Sequence, residues 1–166
     1  MHQVFEITRL SRKIIAEYLE HYTLEQLNKV PEGFNNNLIW NIGHIVVVQQ
    51  MLVYNLSGLP MMVSQEMVQR QRMFGENKVQ EMVEKYKRGS KPEHHVSQAE
   101  VDEIRSLLFE TINQTKADLN SKIFKTYTEF TTLSGFTMRN IEDALAFNYY
   151  HEAMHIGMMM SIRKFI

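Results

Sequence analysis

Ala146-Phe147-Asn148-Tyr149-Tyr150-His151-Glu152-Ala153-Met154-His155-Ile156-Gly157-Met158 is a long apolar stretch near the C-terminus that carries two histidines four residues apart. On an α-helix, positions i and i+4 share a face, one turn apart. Both imidazoles can therefore reach one metal ion. A second apolar helical stretch, Trp40-Asn41-Ile42-Gly43-His44-Ile45-Val46-Val47-Val48, holds another histidine. Three histidines from two facing helices, with a fourth position open, are one way to build a catalytic metal site.

Working outward, four long helical segments emerge. The C-terminal one is expected to start at a Thr137 cap, after the turn Ser134-Gly135-Phe136, and to run to about Lys164. The first should run from about Val4 to Tyr22, with Phe5, Ile7, Leu10, Ile14, Ile15, Tyr18 and Tyr22 as its apolar stripe. Pro31, Gly33 and Asn35-Asn36-Asn37 mark a loop whose asparagines suit a helix cap. The second helix, about Leu38 to Leu56, is apolar nearly all round and should be buried. Ser57-Gly58-Leu59-Pro60 ends it.

Ser64 to Phe74 and Asn77 to Arg88 read as short helices closed by Gly75 and Gly89. Ser97 with Glu100 spells a capping box, which opens a third long helix fading near Leu119. Its buried face is Val101, Ile104, Leu107, Leu108 and Ile112. Phe124 to Thr132, rich in Thr and aromatics, reads as a short strand or an irregular segment. The expected fold is all-α. It is an antiparallel four-helix bundle of the up-down-down-up type, with a long, partly helical excursion between helices two and three.

The 166 residues fit a single domain, 1–166, with a sizeable core. Net charge is -1 and the basic residues are scattered, so nothing points to nucleic acid. No apolar run reaches membrane-spanning length and no signal pattern opens the chain, so a cytoplasmic protein is expected. Cys is absent, so any metal must use His, carboxylate or water. The 12 Met are expected mostly in the core.

Two imidazoles buried side by side without partners would leave nitrogens unsatisfied at about 1–3 kcal/mol each. A shared divalent ion removes that cost. Imidazole ligands favour Zn, Ni, Co or Fe over Mg or Ca. His2, His21, His94 and His95 fall at a terminus, a helix end and a loop, and are expected to be solvated. Asn41 and Asn148 each precede a histidine of the set by three residues, on the same face. Asn148 is open between orienting a ligand or substrate and bridging a helix crossing, and for Asn41 the crossing is preferred. His151-Glu152-Ala153-Met154-His155 also spells H-E-x-x-H. A zincin needs a downstream third ligand, and the 11 residues after His155 hold no His, Asp or Glu. Glu152-x-x-His155 matches half of a di-iron pattern, but there is no second E-x-x-H. Glu152 lies one residue off the ligand face, so a salt bridge suits it better than proton transfer. Tyr149, Tyr150, Met154 and Met158 can line or seal the pocket, and most of them are expected to be core.

These residues resemble the DinB-like superfamily of small metal-binding four-helix bundles. The likeness rests on Pro31-Glu32-Gly33, on Asn37 to Ile45 around Trp40 and His44, on Lys87 to Pro92, on Gly135-Phe136-Thr137 and on His151 to Gly157. It implies His44, His151 and His155 as the ligands of nickel, zinc or a similar divalent ion, in a bundle that often forms a homodimer. Characterised relatives include transferases that use low-molecular-weight thiols such as mycothiol and bacillithiol. Many members carry Gln after the glycine where this chain has Met158, so no polar contact carries over to that position. Three neutral imidazoles would leave the ion its full charge, enough to acidify a water or a thiol. The expected function is a metal-dependent thiol transferase or hydrolase on a small-molecule substrate. The alternative is a non-catalytic metal- or ligand-binding stress-response bundle.

Overall fold

A computed structural model describes residues 2–61 and 78–166, and these are mostly helical. Helix α1 spans His2–His21, α2 Leu24–Asn28, α3 Leu38–Val53, α4 Lys78–Tyr86, α5 Gln98–Asn120 and α6 Ile141–Ile162. A 3-10 turn, Asn55–Ser57, follows α3. Strands β1 (Phe130–Thr131) and β2 (Thr137–Met138) pair antiparallel just before α6. The helix expected over Ser64 to Phe74 lies outside the described residues. Among the described residues no helix is long and apolar enough to cross a membrane.

Side chains set most helix starts. Asn37 Oδ1 accepts the Trp40 N–H at 2.8 Å, and Asn37 Nδ2 donates to the Asn28 carbonyl at 2.9 Å. The first bond caps α3 and the second ties its start to α2. Thr23 and Gln26 form a reciprocal capping box on α2 that the sequence reading passed over. Ser97 does cap α5, accepting from Glu100 N–H. The Glu100 carboxylate takes Lys85 Nζ and the Tyr86 hydroxyl instead of closing the box. A charged donor makes the stronger hydrogen bond and wins. Thr137 is not the cap of α6, because β2 pairing holds it extended against Thr131. Asn140 caps instead, accepting from Asp143 N–H at 2.8 Å.

Helix α3 packs against α6, α5, α4 and α2, which explains why its sequence is apolar nearly all round. Helix α1 packs against α5 and α6. Arg12 reaches Leu108 O and Arg105 reaches Leu19 O, so α1 and α5 run in opposite directions. Gln49 meets Thr115 and Tyr54 meets Asp118, so α3 and α5 run the same way. Asn41 meets His155 and His44 packs on His151, so α3 and α6 run oppositely.

The stripe expected on α1 is corrected at three positions: Ile7, Leu10 and Ile14 are exposed. The buried face of α1 instead interleaves Phe5, Ile15, Tyr18 and Leu19 with Thr8, Ser11 and Arg12. The buried Glu152 carboxylate on α6 takes Ser11 and Arg12, while Thr8 donates to the Val4 carbonyl of its own helix. The face expected on α5 is buried as read, from Val101 to Ile112.

Candidate metal centre

His44 sits near the middle of α3, fully inside the bundle. Its ring stacks on Trp40, one turn earlier, with centroids 4.6 Å apart. His151 and His155 lie on the facing helix α6, with ring centroids 4.5 Å apart. The His44 ring is 5.1 Å from His151 and 4.8 Å from His155. One ring nitrogen from each lies within 4.8 Å of the others. The opposed direction of α3 and α6 brings residues more than a hundred positions apart to one spot.

The outer nitrogens show which inner ones are free. His44 Nδ1 is 2.5 Å from the Tyr86 carbonyl, which can only accept, so Nδ1 carries the proton and Nε2 is a bare lone pair. Tyr86 comes close because position 43 is glycine. A Cβ there would lie 2.6–2.8 Å from the Tyr86 ring. The Tyr86 hydroxyl is held by Glu100 on α5. His155 Nδ1 meets Asn41 Oδ1 at 2.8 Å. Asn41 Nδ2 donates to Asn37 O at 2.7 Å, which turns the amide oxygen toward His155 and makes His155 Nδ1 the donor. His155 Nε2 then faces His151 Nε2 at 3.2 Å. His151 Nδ1 is buried with no hydrogen-bond partner.

Burial sets the charge state of the rings. It lowers the His44 pKa below its ordinary value. It holds His151 down to about 3, helped by the repulsion a protonated ring would meet from His155, His44 and Arg12. It holds His155 down to about 4, with His44 adding to the effect. All three rings are neutral at pH 7 and able to offer lone pairs. Donor type, convergence and neutrality together fit a divalent transition ion.

Glu152 is the salt-bridging residue of this helix. Its Oε1 accepts from Arg12 Nε at 2.9 Å, Arg12 Nη2 at 2.6 Å and Asn148 Nδ2 at 2.9 Å, and its Oε2 accepts from Ser11 Oγ at 2.7 Å. No carboxylate joins the histidine group among the described residues. Asn148 is thus bound to Glu152, and Asn41, read from sequence as a crossing residue, holds a ring of the site. Met158 lies one turn beyond His155, and the core placement expected for it, Tyr149, Tyr150 and Met154 is corrected: all four are exposed on the outer side of α6. Phe147 flanks His151 at 6.2 Å and stacks on Phe136 at 5.8 Å. His21, His94 and His95 are exposed. The sequence reading missed Tyr86, whose contribution is a backbone carbonyl and leaves no side-chain signal. It also missed Arg12, for which a cation in line with buried positions of α1 was the available sign.

The sequence profile described as the DinB superfamily matches residues 7–159. A solved structure described as the crystal structure of the conserved protein of locus from Enterococcus faecalis is similar in fold. Its TM-score is 0.67 at 13% identity, covering 99% of this chain and 95% of that one. No curated protein matches the sequence.

Proposed function

The chain belongs to the DinB superfamily, and from that premise we propose that it is a metal-dependent enzyme acting on a small molecule. In this reading His44, His151 and His155 hold one divalent ion, zinc or nickel, and the reaction is thiol-dependent S-transfer or hydrolysis. The observation that carries it is the convergence of three neutral rings, two of them fixed at Nδ1 by oxygen acceptors. Metal-ligating histidines are oriented by such acceptors. When bound, the ion would supply an acidified water or thiol. The protein's part is to hold neutral imidazoles in place and to wall the site with Trp40 and Phe147. The chain has no Cys, so S-transfer would draw its thiolate from a low-molecular-weight thiol.

One observation favours a non-catalytic binding module instead. The carboxylate nearest the ligands in sequence, Glu152, is sealed by Arg12 and gives the site no general base. Elemental analysis of tag-free protein beside His151→Ala tests the metal reading, with about one transition ion per chain expected and its loss in the variant. Turnover of an electrophile with a thiol, or of a hydrolysable substrate, then separates enzyme from binding module.

The proposed partner is a second copy of the chain. From Ala144 to Ile162 the only charged residue is the buried Glu152. Tyr149, Tyr150, Met154, Met158 and Met160 are exposed on α6, and Ile7, Leu10 and Ile14 on the neighbouring α1. Monomeric proteins rarely present so much uncharged, apolar helix surface.

A further inference from the structure

We propose that Asn148, held by the buried Arg12–Glu152 pair, is the positioning residue for His151. Its Oδ1 takes the Nδ1 proton of His151 when the Nε2 of that ring faces a divalent ion. The inference rests on the metal-dependent reading above.

The Asn148 amide can face only one way. Its Nδ2 donates to Glu152 Oε1, and a carboxylate only accepts. The same oxygen is pinned by Arg12, and Ser11 holds the other one. A flipped amide would set oxygen against oxygen. Asn148 Oδ1 is therefore turned away from Glu152, in a side chain 1% exposed, and has no partner. His151 Nδ1, one helical turn further along α6, is also buried without a partner.

The other rings set the tautomer expected for His151 in the metal-free chain. His155 donates from Nδ1 to Asn41, so its Nε2 is a lone pair. Read as a hydrogen bond, the 3.2 Å contact with His151 Nε2 puts the proton on His151 Nε2. That leaves a lone pair on His151 Nδ1, and Asn148 Oδ1 also offers only lone pairs. Two acceptors cannot bond.

Ligation through His151 Nε2 requires that nitrogen to be bare. The neutral ring then carries its proton on Nδ1, with no net gain or loss. Asn148 Oδ1 is the waiting acceptor, reached directly or through one water. All three ligands then share one arrangement, with Nδ1–H on the Tyr86 carbonyl, the Asn41 amide and the Asn148 amide. The buried ion pair of α1 and α6 thereby sets the tautomer and tilt of the third ligand.

The test uses the full chain, metal-free and with Zn(II), labelled with 15N in the histidine rings. In wild type, long-range 1H–15N spectra are expected to show His151 protonated on Nε2 without zinc. With zinc, a slowly exchanging Nδ1–H is expected. In competition with a chromophoric chelator, Asn148→Ala is expected to bind Zn(II) about ten- to a hundredfold more weakly at unchanged helix content. Its zinc-bound His151 Nδ1–H should exchange faster than in wild type. A metal-free His151 already protonated on Nδ1 overturns the inference, as does wild-type zinc affinity in Asn148→Ala. Either result leaves the metal reading intact, whereas a wild type that takes up no zinc sinks both. If Asn148→Ala does not fold, the wild-type tautomers decide alone.

Discussion

Arg12 and Glu152 stand 140 residues apart and meet at 2.6 Å with both side chains wholly buried. Arg12 also donates to the Leu108 carbonyl, so one guanidinium ties α1 to α5 and α6. A buried pair need not add net stability, but removing one partner strands a charge at a cost of about 3–5 kcal/mol. Arg12→Leu or Glu152→Leu is expected to lose that much in urea unfolding. The double variant should recover a large part of the loss. A double variant no better than the worse single would show that shape, not charge, dominates there.

A ligand that binds only the folded protein stabilises it by mass action, about 2.7 kcal/mol at a hundredfold excess over Kd. Zn(II) should therefore raise the melting temperature of wild type and leave His44→Ala, His151→Ala and His155→Ala unmoved. Equal zinc shifts in wild type and all three variants would place any bound ion elsewhere.

Gly43→Ala sets a methyl group within 2.8 Å of the Tyr86 ring. Overpacking of this kind costs about 1–3 kcal/mol. Tyr86 also supplies the carbonyl that orients His44, so zinc affinity should fall along with stability. Loss of stability at full zinc affinity would separate Tyr86 from the site. Gly157 faces open space inside α6, and Gly157→Ala should leave zinc affinity unchanged and add about 0.5–1 kcal/mol of stability through helix propensity.

Burial holds His151 to about 3 and His155 to about 4, against 6.5 for the free side chain. Between those values and 6.5 the unfolded chain binds protons that the folded chain refuses. By linkage, the stability of the metal-free protein is full above about pH 6.5 and falls as pH drops toward 4. The urea midpoint should be lower at pH 5 than at pH 7.5, with a shallower fall in His151→Asn. A midpoint that does not fall over that range would mean the rings are more open to water than their burial implies.

An uncharged outer face on α6 beside Ile7, Leu10 and Ile14 is expected to hold two copies together. Light scattering behind size exclusion should give a dimer for wild type and a monomer for the Leu10→Glu, Met160→Glu double variant. A monomeric wild type at high micromolar concentration would remove the second copy as the partner.

Much of this was legible in one dimension. Hydrophobic periodicity is local, and it marked the buried face of α5, whereas on α6 Tyr149, Tyr150, Met154 and Met158 read as core and face outward. The shared face of His151 and His155 follows from helix geometry alone, and the nearly all-round apolar sequence of α3 marks it as a buried helix. Asn37 and Ser97 read as caps because a short polar side chain satisfies helix N–H groups from the adjacent position. Family motifs paired His44 with the other two histidines.

What the tertiary structure decided is everything that depends on a partner from another helix. Ile7, Leu10 and Ile14 belong to an apolar pattern yet face outward, while Arg12 and Ser11 turn inward because Glu152 waits across the interface. Glu100 abandons its local capping box for Lys85 and Tyr86. The Tyr86 carbonyl and the Asn41 amide choose which nitrogen of His44 and of His155 is free. A sequence records which residues can donate or accept, and on which face of their own helix. Which donor meets which acceptor is settled only when α1, α3, α5 and α6 pack, because each buried polar group must then find its partner outside its own segment.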